Sequence, residues 1–250
     1  MEKRLIGKVA LVTGSSGVIG PAIVRRLAAE GAVVAATDRS LETARAVADE
    51  AAASGGEVRA FALDVTDAAQ VDSAFAAVEA GLGPVDILVN NAGFVRKSSD
   101  PFQLVEEELW SRILDVNLGG VIRCCRRALG GMIARRYGKI INLGSIAGVS
   151  GLPGWADYAA SKGGVIAFSK TIAMEAGAYG VTVNCVSPGM IRGGKPQENR
   201  GTWLERSGTG EDVAGVIAFL ASPEADYITG CNYMVDGGRV VGPKNASWNE

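Results

Sequence analysis

Tyr158 and Lys162 stand four residues apart in Tyr158-Ala159-Ala160-Ser161-Lys162. Residues 157–179 read as a helix, so the two side chains share a face with Cβ atoms roughly 5–6 Å apart. At about 4 Å and an effective dielectric of about 20, an ammonium favours a neighbouring phenolate by about 4 kcal/mol. That is about three pKa units, enough to bring a phenol from about 10 towards 7. A phenol poised there can pass a proton at neutral pH. Taken alone, Tyr-x-x-x-Lys is common on helices and is more often structural.

A second group lies near the N-terminus: Thr13-Gly14-Ser15-Ser16-Gly17-Val18-Ile19-Gly20, between a β-branched run and a helical stretch. Glycines let a backbone turn tightly and approach a pyrophosphate, and the helix that follows offers free N–H groups and a partial positive charge. By itself such a turn could be only a tight strand–helix connection. Asp38, 18 residues beyond Gly20, closes the second strand-like run. A carboxylate there can accept both ribose hydroxyls of NAD. Its plainer reading is a helix N-cap or a solvated loop acid.

What is missing is equally informative. The chain of 250 residues contains no His, which excludes a Ser-His-Asp triad, a His general base and a His metal site; no metal is expected. Lys and Arg total 25 against 27 Asp and Glu, a balance that argues against nucleic acid and against a polybasic membrane anchor. No stretch approaches 18 uninterrupted apolar residues, so no membrane span is expected. Cys124, Cys125, Cys185 and Cys231 include no C-x-x-C pair and read as small buried thiols in a reducing compartment. A cytoplasmic location is the expectation.

The elements that must position these groups alternate from end to end. Strand-like runs cover 8–13, 32–37, 58–63, 85–89, 139–143, 181–186 and 232–235. Helical spacing covers 19–30, 41–53, 67–81, 109–136, 157–179 and 211–221. Unbroken Val/Ile/Leu strands are buried on both faces, and strands alternating with helices form right-handed βαβ units. The expected fold is a single α/β domain over residues 1–250: a doubly wound, Rossmann-type, mainly parallel sheet of about seven strands with helices on both faces. Residues 189–210, glycine-rich and without a clear period, read as a floppy loop or, better, as a lid over a ligand site.

These motifs, in this order, resemble the single-domain branch of the short-chain dehydrogenase/reductase family over essentially the whole chain. The resemblance rests on the glycine turn, Asp64-Val65, Asn90-Asn91-Ala92-Gly93, Asn117, Ser145, Tyr158/Lys162, Pro188-Gly189 and Asp236-Gly237-Gly238. Residues 138–142 and 153–162 are especially similar to β-ketoacyl reductases and to alicyclic alcohol dehydrogenases. The resemblance implies Tyr158 as the acid/base and Lys162 as the group that lowers its pKa and binds the nicotinamide ribose. It implies Ser145 on the substrate oxygen and Asn117 holding a water in a proton relay. Cofactor contacts would come from Gly14, Ser16, Gly17, Ile19, Gly20, Asp38, Asp64, Val65, Asn91, Ala92, Gly93, Tyr158, Lys162, Pro188, Gly189 and Ile191. Phe94, Ile146, Leu152, Trp155, Met190 and Trp203 would line the substrate pocket. The expected reaction is hydride transfer between NAD and a small secondary alcohol or its ketone, in a homotetramer or dimer.

Three departures stand out. Val18 occupies a position where the branch has Gly, and Gly17 comes one place early. Gly193 replaces the Thr of Pro-Gly-x-Ile-x-Thr, removing a hydroxyl contact to the nicotinamide carboxamide. The stretch after Gly189 is shorter than usual. Two other readings stay open: an NADPH-dependent 3-oxoacyl-carrier reductase, which Asp38 opposes and Arg39 leaves possible, and a non-catalytic dinucleotide-binding regulator.

Overall fold

The computed structural model of the chain describes residues 3–242. Its strands are β1 (Val9–Thr13), β2 (Val33–Asp38), β3 (Glu57–Ala62), β4 (Ile87–Asn90), β5 (Gly138–Leu143), β6 (Val181–Pro188) and β7 (Asn232–Val235). All pairings are parallel and the order is β3-β2-β1-β4-β5-β6-β7. β1, β4, β5 and β6 are buried throughout, as continuous apolar runs demand. The edge strands β3 and β7 are partly exposed.

Side chains alternate across the sheet and build two cores. Ala10 and Val12 face α1 (Gly20–Ala29), α2 (Leu41–Ala53) and α8 (Gly210–Ala221) through residues such as Ile23, Leu27, Val47 and Ile217. Val9 and Leu11 face α3 (Ala68–Leu82), α5 (Gly120–Arg135) and α7 (Ala156–Ala176) through Val71, Phe75, Met132 and Val165. The helices begin where their sequences say they should. Asp67 accepts from the amides of Ala69 and Gln70 to start α3, and Thr209 and Asp212 form a reciprocal capping box on α8.

Four details differ from the sequence reading. The expected helix over 109–136 is α4 (Glu107–Leu114), a π-turn at Asp115–Gly119, and α5. A short helix, α6 (Ala147–Ser150), follows β5. Cys231 is exposed, whereas Cys124, Cys125 and Cys185 are buried. Residues 189–210 carry bridges of their own, Ile191 to Gly208 and Glu198 to Arg206. None of the helices among the described residues is long and apolar enough to cross a membrane.

Candidate active site

The chain winds from β1 to β2 on one side and crosses to β4 on the other, so a crevice opens at the carboxyl ends of β1 and β4. A cleft of about 680 Å³ lies there. One end is lined by Asp38, Asp64 and Val65, the other by Ser145, Tyr158, Lys162 and Pro188.

The glycine turn forms one wall. Gly14 has φ +62°, and a Cβ there would sit 2.6 Å from the Cα of Ala92. A Cβ on Gly20 would sit 2.5 Å from the Gly14 carbonyl oxygen, so Gly20 serves helix packing and does not line the cleft. A Cβ on Gly17 would meet the Gly14 carbonyl oxygen at 3.7 Å, an ordinary contact. Val18 is 61% exposed and lines the cleft. The loop after β4 is stitched to this turn: Thr13 Oγ1 accepts from the amides of Asn91 (3.1 Å) and Ala92 (3.0 Å). Asn91 Nδ2 donates in return to the carbonyls of Thr13 (3.1 Å) and Gly14 (2.7 Å).

Asp38 ends β2 as expected, and its carboxylate is already held. One oxygen accepts from the Ser16 amide (3.1 Å) and the Ser16 hydroxyl (2.7 Å). The second oxygen remains for a ligand hydroxyl. Asp64 accepts from the Thr66 amide and hydroxyl at 2.9 and 2.7 Å. Burial works to raise its pKa, but the Thr66 bonds and the nearby Arg39 charge hold it below the usual carboxylate value.

At the other end, α7 presents Tyr158 and Lys162 on one face. Ser145 follows β5 and lines the cleft with Tyr158; its hydroxyl oxygen accepts from the Ala147 amide at 3.1 Å. Lys162 Nζ donates to the Leu143 carbonyl at 2.8 Å and lies 5.9 Å from the centre of the Tyr158 ring. The expected phenolate is therefore not favoured in this state. Burial pushes the Tyr158 pKa above its ordinary value, with the Ser145 hydroxyl acting against it. Burial also brings Lys162 down to about 8, with Cys185 beyond it pulling the other way. The physical reason is desolvation, which is the largest influence on both groups and penalises the charged form of each.

Asn117 lies buried in the π-turn and does not line the cleft. Its Oδ1 accepts from the Phe94 amide (2.6 Å), and its Nδ2 donates to the Phe94 carbonyl (2.9 Å) and to Ser161 Oγ (3.0 Å). Such π-turns frequently occur at functional sites; here the turn fixes the β4 loop against α7.

A dinucleotide fits this cleft by its donor chemistry: a glycine cradle opening a ten-residue helix, an aimed carboxylate at one end, and a phenol–lysine pair at the other. Comparison with known proteins points the same way. A family profile described as enoyl-(acyl carrier protein) reductase matches residues 14–239. The 3-oxoacyl-acyl-carrier-protein reductase of Escherichia coli (strain K12) is 41% identical over 241 residues, 93% of this chain and 97% of that one. The chain belongs to the short-chain dehydrogenase/reductase family. Its counterpart in Vibrio cholerae is 43% identical, over 94% of this chain and 98% of its own. Among solved structures, a putative gluconate dehydrogenase from Agrobacterium tumefaciens superposes with a TM-score of 0.88 at 32% identity, covering 94% of this chain and 96% of that one.

For a short-chain dehydrogenase/reductase, the cleft collects most of the residues marked in the sequence. Every expected cofactor contact except Gly20 lines it, as do Ser145, Tyr158 and Lys162. Of the six expected substrate-pocket residues, only Phe94 does. Trp155 instead lies 5.2 Å from the Arg96 guanidinium. Trp203 lines a second cavity of about 400 Å³ with Met234 and Gly238. Ile146, Leu152 and Met190 line neither cavity. Val95, Arg112 and Val116 line the main cleft without having been marked. Val116 sits four residues beyond Arg112 on the same helical face, a spacing that could have drawn attention to both.

Proposed function

We propose that the protein is an NAD-dependent oxidoreductase that interconverts a small secondary alcohol and its ketone. The observation that carries this reading is one cleft with Asp38 at one end and Ser145, Tyr158 and Lys162 at the other. When bound, a nicotinamide dinucleotide supplies or accepts the hydride. The glycine turn and the N-terminus of α1 receive the pyrophosphate. Asp38, oriented by Ser16, accepts from the adenosine ribose.

In ketone reduction the Tyr158 phenol gives its proton to the substrate oxygen, and Ser145 donates a hydrogen bond to the same oxygen. Burial above the ordinary phenol pKa keeps Tyr158 protonated and ready to donate. In alcohol oxidation the same oxygen takes the proton back. Lys162, anchored on Leu143, binds the nicotinamide ribose and lends positive charge to the proton's destination. Asn117 acts by holding the Phe94 loop and Ser161, and through them the cleft wall. Dimers or tetramers complete the proposal.

A second reading is a reductase of 3-oxoacyl groups on a carrier, using NADPH. It is supported by the names of the relatives at 41% and 43% identity and by Arg39, whose charge reaches Asp64 at the adenosine end. Asp38 speaks against it, because a 2′-phosphate beside a carboxylate is repelled. Dissociation constants for NAD and NADP, with rates on free ketones and on carrier-bound 3-oxoacyl groups, separate the two.

A further inference from the structure

Outside the reacting groups lies the most completely satisfied charge among the described residues. Arg96, in the loop after β4, has a side chain 2% exposed, and Asp157, just before Tyr158, has one 0% exposed. Arg96 Nε donates to Asp157 Oδ2 at 2.8 Å and Nη2 to Asp157 Oδ1 at 3.1 Å. Nη2 also donates to the Gly154 carbonyl at 2.5 Å, and Nη1 to the Ser98 carbonyl (2.9 Å) and Asp100 Oδ2 (3.2 Å). All five guanidinium protons are used. The free face lies over Trp155, 5.2 Å from a ring centre. Asp157 Oδ1 accepts in addition from the Tyr158 amide at 2.8 Å.

The two segments interlock as well as bond. Gly154 has φ +79°, and a Cβ there would sit 2.8 Å from the Cβ of Ser99. The Asp100 amide donates to the Gly154 carbonyl. The β4 loop that bears Phe94 is thus tied to the segment that bears Trp155 and begins α7. Tyr158 is in the first turn of that helix.

The geometry points to Arg96 as a positioning residue: by binding Asp157, Gly154 and Trp155 together, it fixes the first turn of α7 and so the place of the Tyr158 phenol relative to the cleft. This rests on the reading of Tyr158 as the acid/base. A buried ion pair with every guanidinium proton bonded is rigid, and a lysine in its place keeps the charge but not the fork. Small misplacement of a reacting group lowers the rate steeply.

The test uses the full-length protein, Arg96→Lys, and the charge-neutral pair Arg96→Gln/Asp157→Asn in case the first does not fold. Melting temperature, NADH dissociation constant, kcat, KM and the deuterium isotope effect with reduced, labelled cofactor are measured well below melting. The expected result is NADH affinity within about twofold but kcat lower by about tenfold or more. The isotope effect should grow towards its intrinsic value as the chemical step becomes limiting. Lower melting temperature with unchanged kcat and isotope effect would overturn the proposal and leave Arg96 a stabilising residue. Tyr158→Phe, run alongside, keeps the two claims apart: if it stays active the acid/base reading fails, and if it is inactive while both Arg96 variants are normal only the clamp falls.

Discussion

Replacing Tyr158 with Phe removes one oxygen and leaves the cofactor contacts in place. Steady-state rates should show kcat lower by at least about 10³, with NAD affinity changed only a few-fold. Lys162 carries a pH signature. Its charge is lost near pH 8 in the free protein rather than near the ordinary 10.5. In the proposed function the charged form is the one that serves the ribose and the proton. NADH affinity and kcat/KM for ketone reduction should therefore hold below pH 8 and decline as pH rises through it. Lys162→Ala should be weak and flat across the range in a titration of NADH binding. The same depressed pKa costs the fold stability, in full below about pH 8, and the cost is relieved as pH rises from about 8 to 10.5, where the unfolded chain still holds the proton and the folded one does not.

Elements show what local sequence conveys. Gly14, Asp38, Tyr158 and Lys162 could be recognised because their chemistry is written in short spacings beside strong strand or helix patterns. The π-turn at Asp115–Gly119 could not, since one inserted residue hardly changes the apolar period of a long helix. Nor could Arg96 and Asp157, 61 positions apart, or the bond from Ser16 to Asp38, which meets only when the sheet assembles. Residues 189–210 looked unstructured because they hold few apolar side chains. Their order comes from backbone pairs such as Gly208 to Met190 and Ser207 to Gln197, which hydropathy does not register.

That segment is anchored by Arg206, which grips Asp212 with two bonds of 2.8 Å at the start of α8. The pair and the Thr209 bonds hold the Asp212 carboxyl well below the usual range, against a smaller upward push from burial. Its stabilising effect is thus present above the ordinary carboxylate pKa and fades in strong acid. Asp212→Ala removes one half of the capping box and the Arg206 pair and should cost about 1–2 kcal/mol, seen as a melting temperature lower by about 2–4 °C per kcal/mol. Hydrogen exchange should rise across 189–210 in that variant, and in the parent protein NADH should slow exchange there if the segment closes over the cleft.

At the scale of the molecule, the doubly wound parallel sheet and its strand number follow from alternating apolar runs, and the cleft follows from where the winding reverses. In the proposed function its length separates two tasks, adenosine recognition at Asp38 and proton transfer at Tyr158. The most direct test of the account is the ratio of kcat/KM for NADH to that for NADPH in reduction of a small ketone, in the parent protein and in Asp38→Ala. NADH should be favoured by about 10²-fold or more, a difference of about 2.7 kcal/mol. Asp38→Ala should shrink the ratio mainly by gaining NADPH activity. A parent protein that prefers NADPH would contradict the account and favour the carrier-bound 3-oxoacyl substrate in place of a free alcohol or ketone.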